Sequence, residues 1–442
     1  MFGIMSRFFA FLLAACLVCT CPALGQNVKP EELIARGKAF VDLMAKEDFD
    51  GANKMLDASI QKLLTAQQLA KVWKMLPAQF GTYQKQVGAK HEPAGLNELV
   101  IVNCEFQRSP MDFRFTFNSS GGMVGVRMVP GTVVVPKPDN VKESELVVDA
   151  GDWPLPATLS TPATGGPFPA VVLVHGSGPQ DQDETIFANK PFRDLAYGLA
   201  SRGVAVLRYV KRTKEYPNRS TAGGSITLKE ETVDDAVAAV ALLKKTQGID
   251  AKRIFVLGHS LGGMAIPRIG AADPAIRGFI MLAGSTRPIE DAIIQQMTYI
   301  LSNEPSMPQA KKDETLNAMK AKVAAVKDPK LSASTSARDL PLAIPAEYWL
   351  DLRAYKPAEM AKQLKQPMLI LQGERDYQVT MEDFNGWKTA LGDRKNVLFK
   401  TYPKLNHLFI AGEGKSLPAE YMRPGRMDTE VIDDIATWVK AQ

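Results

Sequence analysis

Cysteine and histidine are both scarce in this chain, with four of each in 442 residues. Three of the cysteines, Cys16, Cys19 and Cys21, fall within the first 25 residues, which leaves Cys104 alone in the remainder. A lone thiol can form no internal disulfide, so stability must come from a buried core rather than from covalent bridges. A chain of this length has interior enough to supply one. Beyond residue 25 there is no Cys-x-x-Cys pair, and no His-Glu-x-x-His pair or glycine-rich phosphate loop occurs anywhere, so no metal and no cofactor is implied. Charge of one sign is lacking too. Lys plus Arg number 53 against 48 for Asp plus Glu, a net +5 scattered along the chain. With no basic block and no aromatic-basic interleaving, nucleic-acid binding has no support. Internal repeats and low-complexity tracts are absent. The one long apolar stretch, Phe8 to Val18, is too short to span a bilayer.

That stretch has a different meaning. Arg7 precedes it, and Ala23-Leu24-Gly25 forms a small-x-small cleavage site before Gln26, so residues 1–25 read as a secretory signal peptide. Leu13-Ala14-Ala15-Cys16 resembles a lipoprotein cleavage box, but apolar residues continue past Cys16, where a processed lipoprotein turns polar. The expectation is an exported protein, periplasmic or secreted, with no transmembrane segment after removal of the signal.

The most informative motif is Gly258-His259-Ser260-Leu261-Gly262, which follows the apolar strand Arg253 to Leu257 and precedes the helical pattern from Gly263. A serine between glycines at a strand-to-helix corner is a nucleophile elbow. The glycines lack the Cβ that would collide in so tight a turn, and the corner presents the serine hydroxyl above the end of the strand. Downstream, the strand Pro367 to Gly373 runs into Glu374-Arg375-Asp376, and a further strand at Val397 to Phe399 leads to Asn406-His407. A serine hydroxyl is a poor nucleophile until a base takes its proton. His407 is the only histidine beyond Ser260, since the others are His91, His175 and His259. Asp376 would hold the imidazole in one tautomer and stabilise its charged form; Glu374 and Asp383 are the alternative acids. The strand Val171 to Val174 ends in His175-Gly176-Ser177-Gly178-Pro179, a loop that supplies a backbone N–H to a developing oxyanion. The candidate oxyanion donors are therefore the N–H groups of Ser177 and Leu261. His175 reads as a structural hydrogen-bonding residue, and His259 as packed beneath the turn.

The rest of the chain supplies a frame. Residues 26–130 form a first domain. Leu33, Ile34, Phe40, Val41 and Met44 predict a helix, and Leu69, Val72, Trp73 and Leu76 predict another closed by Pro77. Strands follow at Leu99 to Phe106, across Phe113, Phe115 and Phe117, and across Val124, Val126 and Met128. This is a small α+β unit without a cluster of titratable residues, and its expected role is docking or shaping a pocket. Residues 131–144 read as a linker. Residues 145–442 alternate strands with helices, which means a mostly parallel, doubly wound sheet covered on both faces. Pro267 should kink the helix after the elbow. Residues 285–350 are too many for a plain crossover and contain two helical patterns, so they are expected to form a lid or cap. Tyr348 and Trp349 near its end are candidates for lining an acyl pocket, with plain core packing as the alternative.

In combination these segments resemble a bacterial α/β-hydrolase family of small-ester carboxylesterases. The resemblance rests on His175-Gly176-Ser177-Gly178-Pro179-Gln180-Asp181, Asn189 to Ala196, Gly258 to Gly263, Gly373 to Val379 and Asn406 to Phe409, and it covers most of residues 140–442. It implies an α/β-hydrolase fold with a helical lid, preceded by a small α+β domain, and Ser260, Asp376 and His407 as a triad acting on small-molecule esters of short acyl chains. One position departs from the pattern: where the family reads Arg-Tyr-Asp-Lys-Arg, this chain has Arg208-Tyr209-Val210-Lys211-Arg212. A serine peptidase or amidase of the prolyl-peptidase type would share the triad, and a non-catalytic binding protein could share the fold. The natural acyl and alcohol groups and the oligomeric state have no signature in the sequence.

Overall fold

The structure is a computed structural model that describes residues 29–107, 109–131, 135–221 and 226–442; the expected signal peptide lies outside them. The chain divides into two compact units, one reaching residue 134 and including short segments at 187–189 and 421–424, the other comprising the remainder.

In the first unit, helices at Pro30–Ala45 and Ala66–Phe80 accompany an antiparallel meander of β1 (Tyr83–Ala94), β2 (Asn97–Phe106), β3 (Met111–Phe117) and β4 (Met123–Pro130). Apolar side chains at helical spacing, Leu33, Phe40, Val41 and Met44, meet Val100, Val102, Phe113 and Phe115 from the sheet in one core, with Phe40 edge-on to Phe115 at 5.3 Å. The second helix does not close at Pro77 but runs on to Phe80. Proline removes one ladder donor, yet the buried stripe Leu69, Trp73, Leu76 and Phe80 continues past it, and a Thr65–Gln68 capping box secures the other end.

The second unit contains an eight-stranded sheet in the order β12-β11-β10-β9-β7-β8-β6-β5. The strands are β5 (Val141–Val148), β6 (Leu155–Pro162), β7 (Phe168–Val174), β8 (Ala205–Tyr209), β9 (Ile249–His259), β10 (Gly278–Leu282), β11 (Met368–Gly373) and β12 (Val397–Tyr402). β5 and β6 are antiparallel lead strands; the other neighbours run parallel. Alternate residues of the central strands enter opposite cores. Val172, Val174, Val256, Met281 and Ile370 face one side, with the helices Asp235–Lys245, Leu261–Ala272 and Met381–Leu391. Val171, Leu173, Leu257, Ile280 and Leu371 face the other, with Pro191–Ala200 and Thr429–Ala441. A strand buried on both faces must be apolar at every position, which is why these segments read as continuous hydrophobic runs. The helix after β9 spans Pro267 without ending there. Between β10 and β11 the insertion is helical, with its longest helices at Ile289–Ser302 and Gln309–Lys327. No helix among the described residues is long and apolar enough to cross a membrane.

Candidate active site

The sheet reverses its winding between β7 and β9, and open parallel sheets bind ligands at such a switch point, beyond the carboxyl ends of the strands. Val174 of β7 lies opposite Gly258 of β9, so the loop beginning at His175 and the elbow at Ser260 leave the sheet side by side. Ser260 has φ 53° and ψ −113°, immediately before the helix Leu261–Ala272. A non-glycine residue held there stores about 1–3 kcal/mol of strain. The flanking glycines make the corner sterically possible. A Cβ on Gly258 would lie 2.2 Å from Gly262 O, and one on Gly262 would lie 2.2 Å from Val174 O.

The other two candidate residues meet at the ends of β11 and β12. Asp376 Oδ2 accepts a 2.6 Å hydrogen bond from His407 Nδ1. Asp376 Oδ1 accepts the N–H groups of Gln378 and Val379 at 2.7 and 3.1 Å, so the carboxylate is fixed by its own loop before it orients the imidazole. Close packing of two loops makes this meeting possible: a Cβ on Gly373 would stand 2.5 Å from Leu405 O. The alternative acids are engaged elsewhere. Glu374 accepts from Thr401 Oγ1, and Asp383 receives Arg287 Nη2 at 2.6 Å. The His407 ring is thus hydrogen-bonded through Nδ1. Among the described residues neither its Nε2 nor the Ser260 hydroxyl makes a hydrogen bond, and none joins the two. Such contacts often tighten only when substrate is bound.

A second, buried histidine connects the elbow to the loop of His407. His259 Nε2 donates to the His407 carbonyl and Nδ1 to Glu184 Oε2, both at 2.9 Å, and the two imidazole rings lie 4.7 Å apart. Both ring nitrogens face acceptors, and a neutral imidazole has only one N–H, so this setting favours the charged imidazolium. Burial opposes that charge, but the adjacent Glu184 carboxylate outweighs it and raises the pKa. Burial likewise pushes Glu184 toward neutrality, and the His259 charge overcomes it, leaving the carboxyl below its usual range. His175 is different. Burial, partly opposed by Glu184, lowers its pKa to about 4, and its Nε2 donates to Asp181 O at 3.0 Å. Both histidines make structural hydrogen bonds, as expected from the sequence, whereas nothing local marks Glu184 apart from a φ of 50°.

Around the candidate oxyanion donors, Gly176 packs against the elbow, where an added Cβ would be 3.3 Å from Ser260 Cβ. Its N–H donates to Glu184 Oε1 at 2.6 Å, and its carbonyl accepts Lys211 Nζ at 2.8 Å. The N–H groups of Ser177 and Leu261 have no acceptor among the described residues. Tyr348 and Trp349 are both buried within the core. The Tyr348 hydroxyl donates to Glu231 Oε2 at 2.7 Å, and the Trp349 indole donates to Ile344 O at 3.2 Å. The inserted helix Ile289–Ser302 lies against the acid loop: Tyr299 stacks on Tyr377 at 4.9 Å, and Gln296 Nε2 donates to Gln378 O at 2.8 Å.

Residues 171–414 match the family described as Alpha/beta hydrolase family. The chain belongs to this family. Within the hydrolase, residues 38–126 match a second family, described only as a protein of unknown function, DUF3887. Esterase EstD of Thermotoga maritima is 37% identical to it over 407 residues, 90% of this chain and 93% of that one. Among solved structures, Est1E from Butyrivibrio proteoclasticus has 18% identity and a TM-score of 0.44, over 67% of the hydrolase and 99% of its own chain. Dipeptidyl peptidase 4 of Porphyromonas gingivalis has 14% identity and a TM-score of 0.46, over 80% of the hydrolase and 43% of its own chain.

Proposed function

We propose that this hydrolase cleaves short-chain carboxylic esters through an acyl-enzyme on Ser260. One observation carries the reading: the buried Asp376–His407 bond of 2.6 Å belongs to the loop whose carbonyl is held by His259, the residue next to Ser260. His407 Nε2 takes the proton of the Ser260 hydroxyl as its oxygen attacks the ester carbonyl, and Asp376 stabilises the imidazolium that forms. The oxyanion is received by the N–H groups of Ser177 and Leu261. The tetrahedral intermediate collapses and releases the alcohol, which takes the proton from His407. Water, activated by the same imidazole, then hydrolyses the acyl-enzyme. The relative named an esterase, matched over nearly the whole chain, supports ester bonds as the substrate class. Residues 145–442 form the catalytic domain in this reading, the helical insertion at about 285–350 its cap, and residues 26–130 an accessory unit. Residues 1–25 direct export.

The test is turnover of p-nitrophenyl acetate and butyrate by the purified chain beside Ser260→Ala. Turnover is expected from the parent, with a loss of about 10⁶-fold in the variant, as when a triad serine is removed. Equal rates in the two proteins would exclude Ser260 as the nucleophile.

A further inference from the structure

We propose that Lys211 is a positioning residue for the oxyanion hole, acting through the carbonyl of Gly176. This rests on the reading of Ser260 as nucleophile and the Ser177 N–H as an oxyanion donor. Gly176 and Ser177 share one peptide unit. In a planar trans peptide the C=O of one residue and the N–H of the next point in opposite directions. Whatever fixes the Gly176 carbonyl therefore fixes the Ser177 N–H. Lys211 Nζ donates to that carbonyl at 2.8 Å. Its backbone N–H donates to Gln180 O at 3.1 Å, so one residue grips the loop at both ends.

The loop needs such a grip. Gly176 has no Cβ to oppose rotation of this peptide, and Ser177 is exposed at the surface. A flip would turn a carbonyl oxygen toward the place where negative charge develops and carry the N–H away from it. The electrostatic term that normally accelerates acyl transfer would then oppose it. Lys211 suits the task because its side chain is 2% exposed and its ammonium is balanced by Glu231 Oε1 at 2.7 Å. The Tyr348 hydroxyl satisfies the other oxygen of that carboxylate. This chain of contacts gives Lys211 and Tyr348 roles that their own segments do not reveal. It also shows the loop held by the residue after Val210, the position where the family's aspartate is missing.

The test compares the parent with Lys211→Met/Glu231→Gln, which removes both charges together and strands neither in the interior. Lys211→Leu/Glu231→Gln, which likewise removes the donor and both charges, is the second variant should the first fail to fold. The probe is a short-chain trifluoromethyl ketone. Ser260 Oγ bonds to its carbonyl carbon, the hydroxyl proton passes to His407, and the carbonyl π pair settles on oxygen as an oxyanion. Its inhibition constant does not depend on how much of the sample is folded, so a merely structural defect leaves it unchanged. In either variant that folds, kcat per titrated site should fall about 10- to 100-fold with KM within threefold. The ketone's inhibition constant should rise by the same factor as kcat falls, as expected when one oxyanion donor is misaligned. An inhibition constant and a kcat within twofold of the parent would overturn the role of Lys211 while leaving the triad intact. Unchanged hydrolysis by Ser260→Ala would overturn both.

Discussion

Replacing Gly262 by alanine tests the elbow where its geometry is tightest. The new Cβ would lie 2.2 Å from Val174 O and 2.8 Å from His175 O, where ordinary contact begins at 3.4 Å. The elbow and the end of β7 must therefore part by about the 1.2 Å that separates 2.2 from 3.4 Å. Both obstacles are backbone atoms, one at the end of β7 and one at the start of the loop that follows it, so no side chain can swing aside. The displacement falls between the N–H groups of Leu261 and Ser177, the two proposed oxyanion donors. A misplacement of about 1 Å at a reacting centre can cost roughly 10²-fold in rate, and overpacking of this kind costs about 1–3 kcal/mol of stability. Gly262→Ala should accordingly lose about 100-fold in kcat per site titrated with a fluorophosphonate, and still melt cooperatively. Gly263→Ala, whose nearest obstacle is Gly284 Cα at 2.9 Å, should lose less. Gly151→Ala meets nothing within 4 Å and should keep the parental kcat. A folded Gly262→Ala protein with kcat within threefold of the parent would refute the steric argument for the elbow.

Asp376→Asn should lower kcat by about 10³- to 10⁴-fold, because the amide cannot hold the imidazole in the same tautomer; ester turnover at constant pH measures it. Glu184→Gln keeps an acceptor for the Gly176 N–H but strands the His259 charge, and should destabilise the protein by about 3 kcal/mol or more in urea titrations. His259 has a raised pKa, so its share of the pair's stability is complete below 6.5 and fades as pH rises through the folded value. Glu184 has a lowered pKa, so its share is complete above 4.5 and is lost at lower pH. The deficit of the variant should therefore be largest between these limits. His175 titrates near 4 when folded instead of 6.5. Below 6.5 the unfolded chain gains a proton that the folded one refuses, so about 3 kcal/mol of stability should drain away between pH 6.5 and 4. In His175→Gln that part of the slope should vanish from urea titrations across this range; an unchanged slope would show that another group causes it.

What could be read from the chain itself was whatever has a local signature. The central strands are apolar at every position because both faces are buried, and the helix Thr429–Ala441 shows its stripe because one face is. The elbow was legible because its glycines, serine, strand and helix are contiguous. β1 left no such trace: it pairs with β2 along its length, yet its residues Tyr83 to Ala94 are mostly polar, and no position in it is fully buried. The helix through Pro77 was misjudged because a local rule was outweighed by burial of a stripe that continues beyond the proline.

The order of Ser260, Asp376 and His407, and the alternation that builds the sheet, were determined by the sequence alone, since both follow from neighbours along the chain. The pairing of Asp376 with His407, while Glu374 and Asp383 engage other partners, belongs to the tertiary structure, as do the two acceptors around His259 and the grip of Lys211 on Gly176. Each of these depends on a partner tens of residues away, and a carboxylate or an ammonium looks the same in sequence whether it ends in water or against one particular carbonyl.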